Sequence, residues 1–312
     1  MKKTLFWLGL GGCGGDTISA LNAAEPDFTE TLHECGIDIL WHPSMSAVSF
    51  DELKQMTDDI ITGNKNLDFL VVEGAVIRGP GGTGNYDLMF GKPKKDLLAK
   101  LAGRAQHVIA LGTCASFGGI ASKGEVEGTG LQYHEWEKGG FLGKNYVSGS
   151  GRPVINLPGC PAHPEVFTGT LLALSNDKTL HLGNHNTPDE WYGTLIHQGC
   201  TRNEYHEYRV EEEGFGEPGC LFFHLGCHGP LAYGPCNKLI WNRHSTKTRV
   251  GVPCFGCTRP DFPQPYPFFR TRNIEGIPLE LPDGVDRAHY MAYKGLAAAA
   301  APGRLIMRTT KV

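Results

Sequence analysis

The distribution of ten cysteines constrains this chain of 312 residues more than any other feature. Cys13, Cys114 and Cys160 are spread through the first half, whereas Cys200, Cys220, Cys227, Cys236, Cys254 and Cys257 crowd the second, with His197 ahead of them. Thiolates are the preferred ligands of iron–sulfur clusters and of zinc, and one imidazole among them suits either. So many soft donors in separate groups predict a file of iron–sulfur clusters rather than a single stapled site. Cys35 has no partner at ligand spacing and reads as a small buried apolar residue.

A chain of this length exceeds the size at which one core usually stops growing, so two domains are expected. Lys and Arg number 29 against 33 Asp and Glu, a net charge of −4 with no basic stretch to follow a phosphate backbone. That balance argues against a nucleic-acid partner. The apolar run Leu5 to Leu10 is too short for a signal-peptide core. Gly295 to Ala301 falls far short of the ~20 residues that span a bilayer. The expectation is a cytoplasmic protein without a transmembrane segment, where thiols stay reduced and serve metals rather than disulfides.

The first half alternates short apolar runs with helical patterns, the signature of a parallel sheet with crossover helices. Strands are expected at 4–10, 37–41, 69–72, 107–111 and 154–157, and helices at 17–24, 51–61, 94–102 and 164–174. The fold class is α/β: a flavodoxin-like parallel-sheet domain over 1–185, then a largely irregular iron–sulfur domain over 186–312. Beyond Trp191 the sequence supports only short helical fragments. Four of the five strands run into loops with potential chemistry, holding Cys13, Glu73, Cys114 and Cys160. Ligands bind outside the carboxyl ends of strands in open parallel sheets, so Cys13, Asp16, Cys114 and Cys160 are expected around one object.

Each group has a plainer alternative. His197, Cys200, Cys220 and Cys227 could form a structural zinc site. Cys236, Cys254 and Cys257 lack a fourth ligand at zinc-knuckle spacing, and three thiolates fit a three-iron cluster better. The glycines around Cys13 resemble a phosphate loop, but the Gly-Lys-Ser/Thr ending is absent. Asp16 reads either as a helix cap or as an oxygen ligand to iron. Glu73, between an apolar strand and a glycine, is a candidate for proton transfer, or simply a loop carboxylate.

With these residues in hand, the chain resembles the small subunit of nickel–iron hydrogenases. The resemblance rests on the glycine-rich Cys13 loop, Val72-Glu73-Gly74-Ala75-Val76, Gly112-Thr113-Cys114-Ala115 and Pro158-Gly159-Cys160-Pro161. It continues through His197-x2-Cys200, Cys220 to Pro230, Cys236 with Trp241-Asn242, and Cys254-x-Gly-Cys257. It implies three clusters: a proximal four-iron cluster on Cys13, Asp16, Cys114 and Cys160; a distal four-iron cluster on His197, Cys200, Cys220 and Cys227; and a medial three-iron cluster on Cys236, Cys254 and Cys257. It also implies a large subunit that holds the nickel–iron centre, an acceptor protein or quinone-linked carrier, and a dimer of heterodimers. Contact with a membrane would come only through partners.

Three departures from the family pattern stand out. Asp16 replaces the usual second cysteine of the first loop, which looks like the actinobacterial-type, high-affinity branch. The Cys220–Cys227 spacing is one residue longer than the commonest, so the link between them is expected to bulge. Lys247 stands where a proline, or in some relatives a cysteine, is usual, which favours the three-iron state. The functional expectation is the electron-transfer subunit of a hydrogen-oxidising hydrogenase, the alternatives being a hydrogen-sensing regulatory complex and a zinc-stapled binding module.

Overall fold

The structure, a computed structural model, describes residues 2–264 and 271–307. It divides into two compact units: Met1–Gly193 with Cys257–Phe262, and Thr194–Gly256 with Pro263–Val312.

In the first unit, strands β1 (Lys3–Gly9), β2 (Ile37–Trp41), β3 (Phe69–Glu73), β4 (His107–Leu111) and β5 (Ile155–Leu157) form one sheet. Every pairing is parallel, in the order β5-β4-β3-β1-β2. β3 is buried along its whole length, which requires cover on both faces. Successive side chains supply it by alternating. Phe6, Leu8, Leu70 and Val72 meet Leu53 and Ile60 of helix α3 (Phe50–Thr62) and Leu98 and Leu101 of α4 (Lys94–Ala102). On the other face Trp7 packs at 6.3 Å on Phe28 of α2 (Phe28–Cys35) and at 5.3 Å on Phe167 of α6 (Pro164–Ser175). Cys35 is buried at the end of α2.

Local chemistry sets the helix ends. Asp27 with Glu30, and Ser49 with Glu52, form capping boxes at α2 and α3, and Gly36 and Gly63 end these helices in left-handed conformation. Helix α1 (Gly15–Leu21) follows the Cys13 loop, and α5 (Gly112–Phe117) begins directly at the end of β4. A single turn, α7 (Asp189–Tyr192), lies at the end of this part of the chain.

The second unit is built from short pieces: a 3₁₀ turn at Ile196–Gly199, α8 (Asn203–Glu207), α9 (Phe222–Leu225), a small hairpin, α10 (Arg287–Ala299) and α11 (Gly303–Ile306). Its core combines Ile196, Tyr205, Leu221, Phe223, Leu225 and Tyr290 with Cys220, Cys227 and Cys254. The 13-residue α10 exceeds the short fragments that the sequence supports. Asp286 caps it by accepting from His289 N at 2.8 Å, and its alanine run hides the apolar period by which a helix is usually read. The Cys220–Cys227 link, expected to bulge, is closed by a wide turn in which Cys227 N donates to Leu221 O at 3.3 Å. It forms the single turn α9, closed by Gly226 at φ +64°. No helix among the described residues is long and apolar enough to cross a membrane.

Candidate metal-cluster sites

Strand register brings the first site together. Gly9 of β1 lies opposite Glu73 of β3, Glu73 opposite Leu111 of β4, and Leu111 opposite Leu157 of β5. The loops carrying Cys13, Cys114 and Cys160 therefore leave the sheet at one level. Cys13 and Cys160 are exposed and Cys114 is half-buried. Although Cys160 as a residue is exposed, partial enclosure of its thiol pushes it up to about 12, and the nearby Cys257, Cys114, Asp16 and Cys13 push it further in the same direction. Burial raises Cys114 as well, with Asp16, Cys13 and Glu73 adding to the effect.

So many mutually repelling acids at one edge are costly as bare anions, and a cationic metal centre among them reverses the balance. The donor set therefore fits an iron–sulfur cluster. Among the described residues no three His, Cys, Asp or Glu side chains converge as they would around a single ion. Ligands of a cluster stand apart by the width of the cluster itself.

Asp16 does not cap its own helix. Its Oδ1 accepts from Ala162 N at 2.7 Å, in the loop after Cys160. Burial pushes its carboxyl up to about 7, against the lowering effect of the Ala162 amide and with a further rise from Glu73. Gly112, at φ +84°, makes room for it, since a Cβ there would overlap the carboxylate. The capping acceptor of α1 is instead Glu73, whose Oε1 accepts from Asp16 N at 3.0 Å and from Thr17 N at 3.1 Å. Its Oε2 accepts from Trp7 Nε1 at 3.1 Å and from the Thr17 hydroxyl. Glu73 is 4 % exposed, a buried carboxylate fixed by four donors. Gly74, at φ +94°, then lets the chain pass against the backbone of Gly11 and Gly12, where a Cβ would come within 2.9 Å.

Thr113 joins the remaining loops. Its amide donates to Gly159 O at 2.8 Å, and its hydroxyl accepts from Gly159 N at 2.9 Å and donates to Cys257 O. The Cys114, Cys160 and Cys257 segments are thus hydrogen-bonded through one buried threonine. Tyr192 of α7 adds a bond from its hydroxyl to Pro158 O at 2.9 Å.

In the second unit His197, Cys200, Cys220 and Cys227 are drawn together by the backbone. His197 N donates to Gly229 O at 3.0 Å, and Cys200 N to His197 O at 2.9 Å. A Cβ at Gly229 would lie 3.5 Å from Cys227 Sγ and 3.8 Å from His197 Cα. Burial pushes Cys227 up to about 11, opposed by the Gly229 and Cys254 amides and reinforced by Cys200. Burial likewise drives Cys220 far up, with Cys227 and Cys200 adding to it. Backbone amides already point at the sulfurs: Arg202 N at Cys200 Sγ (3.4 Å), Cys254 N at Cys227 Sγ (3.3 Å) and Gly256 N at Cys254 Sγ (3.4 Å). Such N–H···S bonds favour the thiolate and tune a cluster's potential.

Cys236 and Cys254 belong to the second unit, whereas Cys257 is part of the first. Asn237, next to Cys236, donates to Ile196 O at 2.9 Å and accepts from the Thr246 and Thr248 hydroxyls. Lys247 Nζ sits 5.1 Å from the centroid of Phe255, within the Cys254-x-Gly-Cys257 segment. Sequence reasoning missed Thr113, Asn237 and His206, whose Nδ1 is 3.4 Å from Cys220 Sγ. For Thr113 a signal existed, a β-branched hydroxyl wedged between a glycine and a cysteine at a strand end.

Residues 13–174 match the family described as NADH ubiquinone oxidoreductase, 20 Kd subunit. Residues 192–270 match the C-terminal family of NiFe/NiFeSe hydrogenase small subunits. The chain is 30 % identical over 281 residues to the periplasmic [NiFeSe] hydrogenase small subunit of Desulfomicrobium baculatum, covering 84 % of this chain and 85 % of that one. It is also 30 % identical over 269 residues to the hydrogenase-2 small chain of Escherichia coli K12, covering 82 % and 67 %. In fold it is similar to a chain of the actinobacterial-type NiFe-hydrogenase from Ralstonia eutropha H16, with a TM-score of 0.78 at 24 % identity over 99 % of this chain and 92 % of that one. The donor groups, the sheet that positions the first of them and these matches agree: the chain belongs to the family of nickel–iron hydrogenase small subunits.

Proposed function

We propose that this chain carries electrons for a hydrogen-oxidising nickel–iron hydrogenase, in complex with a large subunit that holds the hydrogen-splitting metals. Iron–sulfur clusters, when bound, take up and release one electron at a time. Cys13, Cys114, Cys160 and Asp16 hold the proximal one, and His197, Cys200, Cys220 and Cys227 the distal one. Cys236, Cys254 and Cys257 are assigned to a medial three-iron cluster on the sequence resemblance. Around these ligands Glu73 anchors the Cys13 loop, Thr113 couples the Cys114, Cys160 and Cys257 segments, and backbone amides donate to the sulfurs.

The observation that carries this reading is the in-register row of strand ends, which gathers three cysteines and Asp16 from three distant segments. The deciding experiment is iron and acid-labile sulfide analysis of the anaerobically purified complex with its large subunit, together with hydrogen-driven dye reduction. Iron with stoichiometric sulfide and rapid turnover are expected. Zinc without sulfide overturns the proposal, and sulfide with negligible turnover and capture of a signalling kinase points to a sensor.

A further inference from the structure

Cys220 is 6 % exposed and lies in the apolar core of the second unit, with Leu221, Phe222, Phe223 and Leu225. A sulfur that binds iron carries negative charge, and in such surroundings that charge needs donors aimed at it. The sulfurs of Cys200, Cys227 and Cys254 meet the backbone amides of Arg202, Cys254 and Gly256. Cys220 meets the Phe222 amide and, in addition, a side chain: His206 Nδ1 stands 3.4 Å from its Sγ. A ligand thiolate can only accept, so the imidazole nitrogen that faces it carries the hydrogen and donates.

The backbone and the neighbouring rings hold that nitrogen in place. His206 lies in the last turn of α8, where its amide donates to Arg202 O at 3.2 Å and its carbonyl accepts from Arg209 Nη1 at 2.7 Å. Its ring stacks on Phe223 with centroids 5.7 Å apart and planes 7° from parallel, and it packs on Phe222 at 5.6 Å. The same ring meets His197 edge to face, with centroids 4.5 Å apart and planes at 70°. One side chain thus touches two of the four residues assigned to the distal cluster, Cys220 by a hydrogen bond and His197 by ring contact.

We propose that His206 is a positioning residue for electron transfer, whose Nδ1–H bond to Cys220 Sγ raises the reduction potential of the distal cluster, and the proposal rests on the electron-carrying reading above. The electron added on reduction spreads onto the sulfurs, so a donor there stabilises the reduced form more than the oxidised one. In this apolar setting the bond is stronger than it would be in water.

The test uses the purified complex with its large subunit and follows the distal cluster by electron paramagnetic resonance during redox potentiometry, with iron and labile sulfide measured on each sample. His206→Phe keeps a ring against Phe223 and His197 but removes the donor, whereas His206→Asn gives up the ring and returns an N–H near the position of Nδ1. At the native midpoint potential the reduced-to-oxidised ratio is expected to fall about fivefold in His206→Phe and to stay close to native in His206→Asn, with the proximal signal unmoved in both. An unshifted or raised midpoint in His206→Phe overturns the proposal and leaves the electron-carrying reading standing. Equal shifts in the two variants mean that the ring only packs, and overturn it too. Should His206→Phe lose the cluster, pulsed hyperfine spectroscopy of the native complex with isotopically labelled histidine decides. Two weakly coupled imidazole nitrogens are expected beside the His197 nitrogen bound to iron: the remote nitrogen of His197, and Nδ1 of His206, which disappears in His206→Asn. Finding only the first overturns the proposal. Absence of labile sulfide overturns both readings.

Discussion

Thr113 shows how much one hydroxyl can hold in place. It is 1 % exposed, accepts from Gly159 N and donates to Cys257 O. Thr113→Val keeps the shape but strands a buried donor and a buried acceptor, at a cost of about 2–3 kcal/mol. Chemical denaturation is expected to show that loss, with electron paramagnetic resonance showing a broadened proximal signal, while Thr113→Ser restores most of both. Asp16 answers to a different probe. Its carboxyl accepts from Ala162 N rather than capping α1, so its removal is expected to change the metal signal more than the stability of the helix. Asp16→Ala should perturb the proximal resonance and Asp16→Cys should convert it to that of an all-thiolate cluster. An unchanged spectrum in both variants excludes ligation.

At the scale of elements, two buried carboxylates act as anchors. Glu73 supplies the acceptor that the first turn of α1 lacks, since Gly14 at its N-terminus offers no side chain. Glu73→Ala leaves the donors of Trp7, Asp16 and Thr17 without a partner, and a destabilisation of about 3 kcal/mol is expected in urea unfolding, less for Glu73→Gln. Glu211 fixes α10 to the rest of its unit. Burial alone would raise its pKa, but hydrogen bonds from His224, Tyr290 and Lys294 outweigh that and bring the carboxyl below the ordinary glutamate value. A depressed acid binds fewer protons folded than unfolded, so its contribution is present above about pH 4.3 and fades as pH falls through the folded value. The gap in melting temperature between the native protein and Glu211→Gln is therefore expected to narrow steadily below that pH.

At the scale of the whole molecule, exposed apolar residues beside the first ligand group are expected to meet the large subunit. Ile18 of α1 is 69 % exposed and Ile120, just after the Cys114 helix, is 78 % exposed. An obligate subunit interface commonly buries more than ~2,000 Å². Ile120→Glu is expected to weaken association with the large subunit at least tenfold, as read by size-exclusion chromatography at falling concentration. Strands such as β3 were legible in the sequence because a strand covered on both faces reads as an unbroken apolar run. Glu73 as the cap of α1, Thr113 as the link to Cys257, and α10 behind its alanines were not. The first two depend on partners 56 or more residues away, and the third on packing rather than on period. The return of Cys257–Phe262 to the first unit bears on how the chain is made. During synthesis the sheet can collapse as soon as β5 has emerged, but the Thr113 hydroxyl waits for an acceptor until position 257 leaves the ribosome. The Thr113 tie between the Cys160 loop and Cys257 is then completed late, after most of the polypeptide exists, so that a prematurely terminated product leaves this edge unlocked.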